Sequence, residues 1–126
     1  MEILTIVSML ALMQVIVLGW LTGMARVKYS VSAPATTGNE HFERYYRVHY
    51  NTIEQLVVFL PALWAFGYYI GQYWAAGLGL LYLLGRIAYA VGYIRQPASR
   101  GPGMLLTMIA TSALVIGALA GALLQL

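Results

Sequence analysis

A chain of 126 residues that is 61% hydrophobic and 9% charged, with a mean hydropathy of +0.75, has more apolar surface than a soluble body of this size can hide. Its seven Lys and Arg against four Asp and Glu, net +3, are divided among loops and form no continuous stripe, which argues against nucleic-acid binding. There is no cysteine, so disulfides and a protein thiolate are excluded and any thiol must come from outside.

The first predicted span covers about residues 3–25, longer than the roughly 20 apolar residues a bilayer requires. Glu2 is its only early charge and Arg26 and Lys28 follow it directly, so it reads as a retained anchor and not a cleaved leader. Gln14 is its only strongly polar group. A loop rich in Ser, Thr, Ala, Pro and Gly follows, Val27 to Asn39, where Thr37-x-x-Glu40 fits a capping box and Glu40 and Glu43 suit the positive end of a starting helix. The second span, about 39–70, exceeds the bilayer and contains Pro61, which is expected to bend it.

Tyr68, Tyr69, Tyr73 and Trp74 crowd the following turn as an interfacial aromatic belt. The third span runs from about 74 to 94 and the fourth from about 104 to 126, where Gly117-x-x-x-Gly121 permits close helix packing. No segment alternates with period two, which excludes a β-barrel. The expected fold is a single domain over residues 1–126, an all-α membrane protein built as a four-transmembrane-helix bundle. Arg26, Lys28, Arg44 and Arg47 flank the first loop and Arg95 and Arg100 lie in the third, while the other end has no Lys or Arg. The positive-inside rule then puts both basic loops in the cytoplasm. The short chain suits a bacterial inner membrane.

The ionisable residues are concentrated on two spans. Glu43-Arg44-x-x-Arg47-x-His49-x-Asn51-x-x-Glu54 lies on the second and Arg86-x-x-Tyr89-x-x-x-Tyr93 on the third. Such groups are costly at membrane depth and mark function by default. Arg47, Asn51 and Glu54 share one helical face, as do Arg86, Tyr89 and Tyr93. A hairpin pivoting near residue 72 brings the two stripes to similar depth, with Glu54 level with about 90 and Asn51 with about 93, and predicts a pocket between them.

Guanidinium groups at Arg47, Arg86 and Arg100 suit carboxylates, Glu54 suits an ammonium, and Asn51, Tyr89 and Tyr93 supply hydrogen bonds. A ligand with terminal carboxylates and an amino group fits this set more completely than a bare lipid phosphate. Other readings stand beside it. Glu54 with Arg47 or Arg86 also reads as a buried ion pair, Tyr89 and Tyr93 as packing residues, and Arg95 and Arg100 as topology signals. His41 and His49 are too few for a metal site. A small proton-coupled multidrug transporter would need an acidic residue in the first span, which offers only Gln14.

Thr36-Thr37-Gly38, Phe42-Glu43-Arg44-Tyr45-Tyr46-Arg47, Asn51, Glu54 and Leu63-Trp64, followed by Leu81-Tyr82-Leu83-x-x-Arg86-x-x-Tyr89-x-x-Gly92-Tyr93 and Arg100, resemble the membrane-associated proteins in eicosanoid and glutathione metabolism (MAPEG). The resemblance implies a homotrimer with glutathione as co-substrate, bound between subunits near the cytoplasmic face. It places Arg47, Asn51, Glu54, Arg86, Tyr89 and Tyr93 on glutathione, with His49 able to touch it and Arg26 supplied by the adjacent subunit. Arg100 matches the arginine that activates the thiol in leukotriene-forming members. The implied activity is glutathione transfer to lipophilic electrophiles, or reduction of lipid hydroperoxides, with membrane lipid as a further partner and no metal.

This chain departs from the family pattern at Gln55, where many members have tyrosine, at Pro61, four residues later than usual, and at Val27 in place of a second arginine. A non-catalytic lipid-binding branch of the same architecture is the alternative. That branch lacks the arginine that this chain keeps at Arg47.

Overall fold

A computed structural model describes all 126 residues. Four helices follow one another: α1 (Glu2–Lys28), α2 (Glu40–Tyr69), α3 (Gln72–Arg95) and α4 (Gly101–Leu124), with a short 3-10 turn, Pro97–Arg100, leading into α4. Each ends close to where the sequence places it, but α4 starts earlier than expected, so Arg100 stands at the foot of a helix and not in an open loop. α2 packs against all three other helices, and α3 and α4 make the most extensive seam.

The start of α2 differs from the expected capping box. Gly38, with φ of 124°, turns the chain so that Asn39 and not Thr37 precedes the first helical residue. Asn39 Oδ1 accepts from the backbone N–H groups of His41 and Phe42 at 2.9 and 3.0 Å, satisfying donors the helix leaves free. Glu43 reaches back to accept from Gly38 N at 3.2 Å. Arg44 closes the end of α3, donating to the carbonyls of Ile94 and Arg95 at 3.3 and 3.2 Å while pairing with Glu40 at 2.8 Å. A cation over the last carbonyls of a helix also meets its negative end.

α2 continues unbroken across Pro61, which faces outward. The hairpin is centred between Ile70 and Gly71, slightly before the pivot expected from sequence. Phe59 and Tyr82, equally distant from that centre, stack with ring centroids 3.7 Å apart. The glycines expected to let α4 approach another helix lie against α2, where they seat aromatic side chains. A Cβ on Gly117 would strike the Phe66 ring, and one on Gly121 would meet Tyr69 Cβ at 2.7 Å.

The core is small: 30 of 126 residues are buried, centred on Leu4, Phe59, Leu63, Tyr82, Ala110 and Leu114. Large apolar side chains cover the outside, among them Ile16, Trp20, Val57, Leu84 and Ile116. A soluble monomer does not sustain so continuous an apolar exterior. α1, α3 and the run Pro97–Leu124 are each long and apolar enough to cross a membrane. α2 falls short in composition because Glu40, Glu43, Arg44, Arg47 and Glu54 fill its first half. The molecule is an all-α membrane protein with a four-helix bundle. One end of the bundle is basic, and the other has the tyrosines of the α2–α3 turn.

The α3–α4 seam depends on a residue without a side chain. A Cβ on Gly103 would collide with the backbone of Ala88 and Tyr89. Gly103→Ala is expected to lower stability by about 1–3 kcal/mol, the usual cost of overpacking. Gly77→Ala, where a Cβ meets nothing within 4 Å, should change it by less than about 1 kcal/mol. Thermal unfolding in detergent compares the two, and equal midpoints would contradict the packing argument.

Candidate functional site

Arg86 is the largest fully buried side chain, with 1% of its surface exposed. Its Nη2 donates to Asn51 Oδ1 at 2.7 Å and to Thr52 Oγ1 at 2.8 Å, and Nη1 lies 3.5 Å from Thr107 Oγ1. α2, α3 and α4 thus converge on one guanidinium. Its fourth neighbour is the face of the Tyr89 ring, 4.4 Å from Cζ, a contact that stabilises a desolvated cation electrostatically.

Thr52 and Thr107 were not legible as site residues. Both hydroxyls donate backward, to Val48 O at 2.8 Å and Gly103 O at 2.9 Å, as threonines inside membrane helices commonly do. That orientation leaves their oxygen lone pairs free to accept from Arg86. Threonine at the two positions was the only signal, and alone it does not separate a ligand of arginine from a self-satisfied helix residue.

The alternative reading of Glu54 as half of a buried ion pair is not met. The ion pairs of the chain are Arg44 with Glu40 and the Met1 amine with Glu2; neither Arg47, Glu54 nor Arg86 takes part. All of Arg86's hydrogen-bond partners are neutral, so the bundle holds a buried cation with no counter-charge. That arrangement is costly unless something else supplies one. Asn51 meets Arg86 and not the level of Tyr93, because the hairpin centre is displaced and the arginine side chain is long. The stripes also close upon one another here, so the pocket expected between them is a filled polar cluster.

The cluster continues toward the basic end. Tyr89 is buried and its ring lies 5.6 Å from that of Tyr93, and Tyr93 lies under Arg100, whose Cζ is 5.9 Å from the ring centroid. Arg100 donates to Pro97 O at 3.0 Å and is otherwise exposed. On α2, Arg47 and Glu54 stand exposed one turn either side of Asn51. Seven of the nine expected site residues therefore gather in this region of α2, α3 and the 3-10 turn: Arg47, Glu54 and Arg100 exposed, Asn51 and Tyr93 half-buried, and Arg86 and Tyr89 buried beneath them.

Arg26 and His49 are elsewhere in the subunit. Arg26 donates to Ala35 O at 2.7 Å and lies 4.7 Å above the Phe42 ring. His49 fills the α1–α2 seam, where its Nε2 would sit 3.1 Å from a Cβ on Gly19. No contact joins either of them to Arg86 within one chain.

Nothing in this set resembles a metal cage, since no three His, Cys, Asp or Glu side chains gather at one place. What this region offers is two exposed guanidinium groups, Arg47 and Arg100, a third buried at Arg86, and an exposed carboxylate, Glu54, with no partner in the subunit.

The MAPEG family profile matches residues 4–120. An uncharacterized protein of Synechocystis sp. is 50% identical over 121 residues, covering 96% of this chain and 88% of that one. Microsomal glutathione S-transferase 2 of Mus musculus is 38% identical over 107 residues, covering 85% of this chain and 73% of its own. Leukotriene C4 synthase of Bos taurus is 42% identical over 76 residues, 60% of this chain and 51% of its own. With the family profile matched across nearly its full length, the chain belongs to the MAPEG family.

Proposed function

We propose that this protein is a membrane-bound glutathione transferase that joins glutathione to lipophilic electrophiles reaching it through the bilayer. The observation that carries this reading is the buried Arg86 without counter-charge, beside a surface where Arg47 and Glu54 are also unpaired. Glutathione is complementary to that surface: two carboxylates for the guanidinium groups, an ammonium for Glu54 and amides for Asn51 and the tyrosines. The glutathione-dependent enzyme named among the relatives supports the same ligand.

In this proposal Arg47 grips a carboxylate at the surface, Arg86 takes the second once Asn51 swings away from it to orient the peptide, Tyr89 and Tyr93 line the wall, and Glu54 holds the amino group. The family resemblance supports a homotrimer with sites between subunits, in which Arg26 is supplied by the adjacent subunit and His49 is able to touch the ligand. All four helices cross the membrane, over about residues 3–25, 39–70, 74–94 and 104–126, with the site at the cytoplasmic end of a bacterial inner membrane. α2 tolerates its polar half because that half faces the site and projects past the hydrocarbon.

Arg100 acts on the thiol. A free cysteine thiol has a pKa of about 8.5 and is mostly protonated at neutral pH. Lowering it by about two units requires roughly 2.7 kcal/mol. One charge-assisted hydrogen bond from a guanidinium supplies about 1.5–3 kcal/mol. The thiolate held by Arg100 then forms a carbon–sulfur bond with the electrophile, whose leaving atom departs with the electron pair and takes up a proton. With a lipid hydroperoxide as acceptor, the same thiolate would attack oxygen and a second glutathione would complete the reduction. The exposed position of Arg100 beside Tyr93 suits a thiol arriving at the mouth while the peptide lies deeper.

Arg100→Ala is expected to lower kcat by about tenfold to a hundredfold, as loss of one such bond implies, and to abolish the ultraviolet absorbance of enzyme-bound thiolate. Glutathione affinity should change little. Undiminished turnover with a general electrophile would remove Arg100 from the chemistry. Glu54→Gln is expected to weaken glutathione binding about tenfold, a difference of about 1.4 kcal/mol, with helix content and unfolding midpoint retained because no residue of the subunit pairs with it. Calorimetry in nanodiscs reads this directly. Absence of glutathione binding in the unaltered protein, with lipid held at the site instead, would favour a non-catalytic lipid-binding member.

A further inference from the structure

Arg100 belongs to the four-residue 3-10 turn Pro97–Arg100, and none of that turn's residues is buried. The hydrophobic core therefore does not hold the turn in place. Its shape comes from its own hydrogen bonds: Gln96 N–H donates to Gly92 O at 2.9 Å and Ser99 N–H to Gln96 O at 2.8 Å. The Arg100 guanidinium folds back on the same turn, donating to Pro97 O at 3.0 Å, so it moves wherever the turn moves.

What seats the turn is a missing side chain on α3. A Cβ on Gly92 would strike Ser99 O and stand 3.1 Å from Ser99 C. These are backbone atoms, which cannot rotate aside as the end of a side chain can. The carbonyl of the residue before Arg100 thus lies directly on α3, beside Tyr93, whose ring centroid is 5.9 Å from Arg100 Cζ. Beyond the turn, Gly103 sets α4 against the backbone of Tyr89, so the turn is held between two close contacts. Glycine weakens a helix interior relative to alanine; at position 92 the close approach accounts for it.

We propose that Gly92 is a positioning residue for the thiol chemistry: by admitting the Ser99 carbonyl onto α3, it fixes where Arg100 meets the glutathione sulfur. The inference rests on the glutathione reading and extends it from the residue that meets the thiol to the one that places it. An added methyl displaces the turn, and Arg100 with it, while Arg47, Asn51 and Glu54 stay in place on α2. A misplacement on the order of 1 Å can cost up to about a hundredfold in rate, because a charge-assisted hydrogen bond weakens steeply as its geometry degrades.

Gly92→Ala is expected to lower kcat about tenfold and to raise the pH midpoint of the bound-thiolate absorbance by about one unit, toward the ordinary thiol value of about 8.5. Glutathione affinity at about pH 5, where the thiol is protonated in every variant, should be unchanged. Gly101→Ala alters the residue after Arg100, where a Cβ meets nothing within 4 Å, and should change none of these readings. In an Arg100→Ala background, Gly92→Ala should shift the midpoint no further, as expected of a residue that acts through another. Ser99→Gly frees the turn to give way, so Gly92→Ala with Ser99→Gly, compared with Ser99→Gly alone, serves if the single variant does not fold. An unmoved midpoint in the Gly92 variants, or an equal shift with and without Arg100, would overturn this inference alone. A midpoint that Arg100→Ala leaves in place, or no glutathione binding by the unaltered protein, would remove the glutathione reading and this inference with it.

Discussion

A guanidinium buried among neutral oxygens is the constraint from which the rest of this structure follows. Arg86 is fully enclosed, and burying an ionised group without an opposite charge is among the most expensive things a fold can do. The bundle reduces that cost with Asn51, Thr52, Thr107 and the face of Tyr89. These come from α2, α4 and α3 itself, so the same contacts that moderate the charge also tie three helices together. They do not cancel the charge. In the proposed function that unpaired charge attracts an anion to the residues around it.

The cluster lies in the half of the bundle nearer its basic end. Apolar side chains wrap the outside of α1, α3 and α4, while the polar half of α2 faces the basic end. Tyr89, Tyr93 and Arg100 lead from the buried arginine to that end. In the proposed function, a water-soluble peptide and an oil-soluble electrophile approach these residues from two phases. Close α3–α4 packing at Gly103 supports this, since it brings the 3-10 turn bearing Arg100 against the last turns of α3.

Much of the architecture was legible because apolar runs of spanning length admit few alternatives. The helices, their order and the shared end of Arg26, Arg44, Arg47 and Arg100 all follow from hydropathy and charge. Details that depend on a single backbone angle or rotamer were not legible. Asn39 caps α2 in place of Thr37 because Gly38 adopts a positive φ, which composition near the loop does not specify. Asn51 meets Arg86 because the hairpin centre lies between Ile70 and Gly71, and a shift of one or two residues moves every cross-helix partner. Thr52 and Thr107 were hidden because a hydroxyl bonded to its own helix looks complete in sequence. The sequence left two readings of Glu54, a partner for a ligand ammonium or half of an internal ion pair; the geometry leaves it exposed and unpaired within the subunit, which removes the second.

The central claim is that the row running from Glu54 and Arg47 past Arg86 to Arg100 recognises the carboxylates of a small peptide. Calorimetric titration of the protein in nanodiscs with glutathione and with its dialkyl ester, which keeps the thiol, ammonium and amides but removes both negative charges, tests this most directly. The account predicts that the ester binds about a hundredfold more weakly, since each lost charge-assisted contact is worth at least about 1.4 kcal/mol. Equal affinity for the two ligands would contradict it.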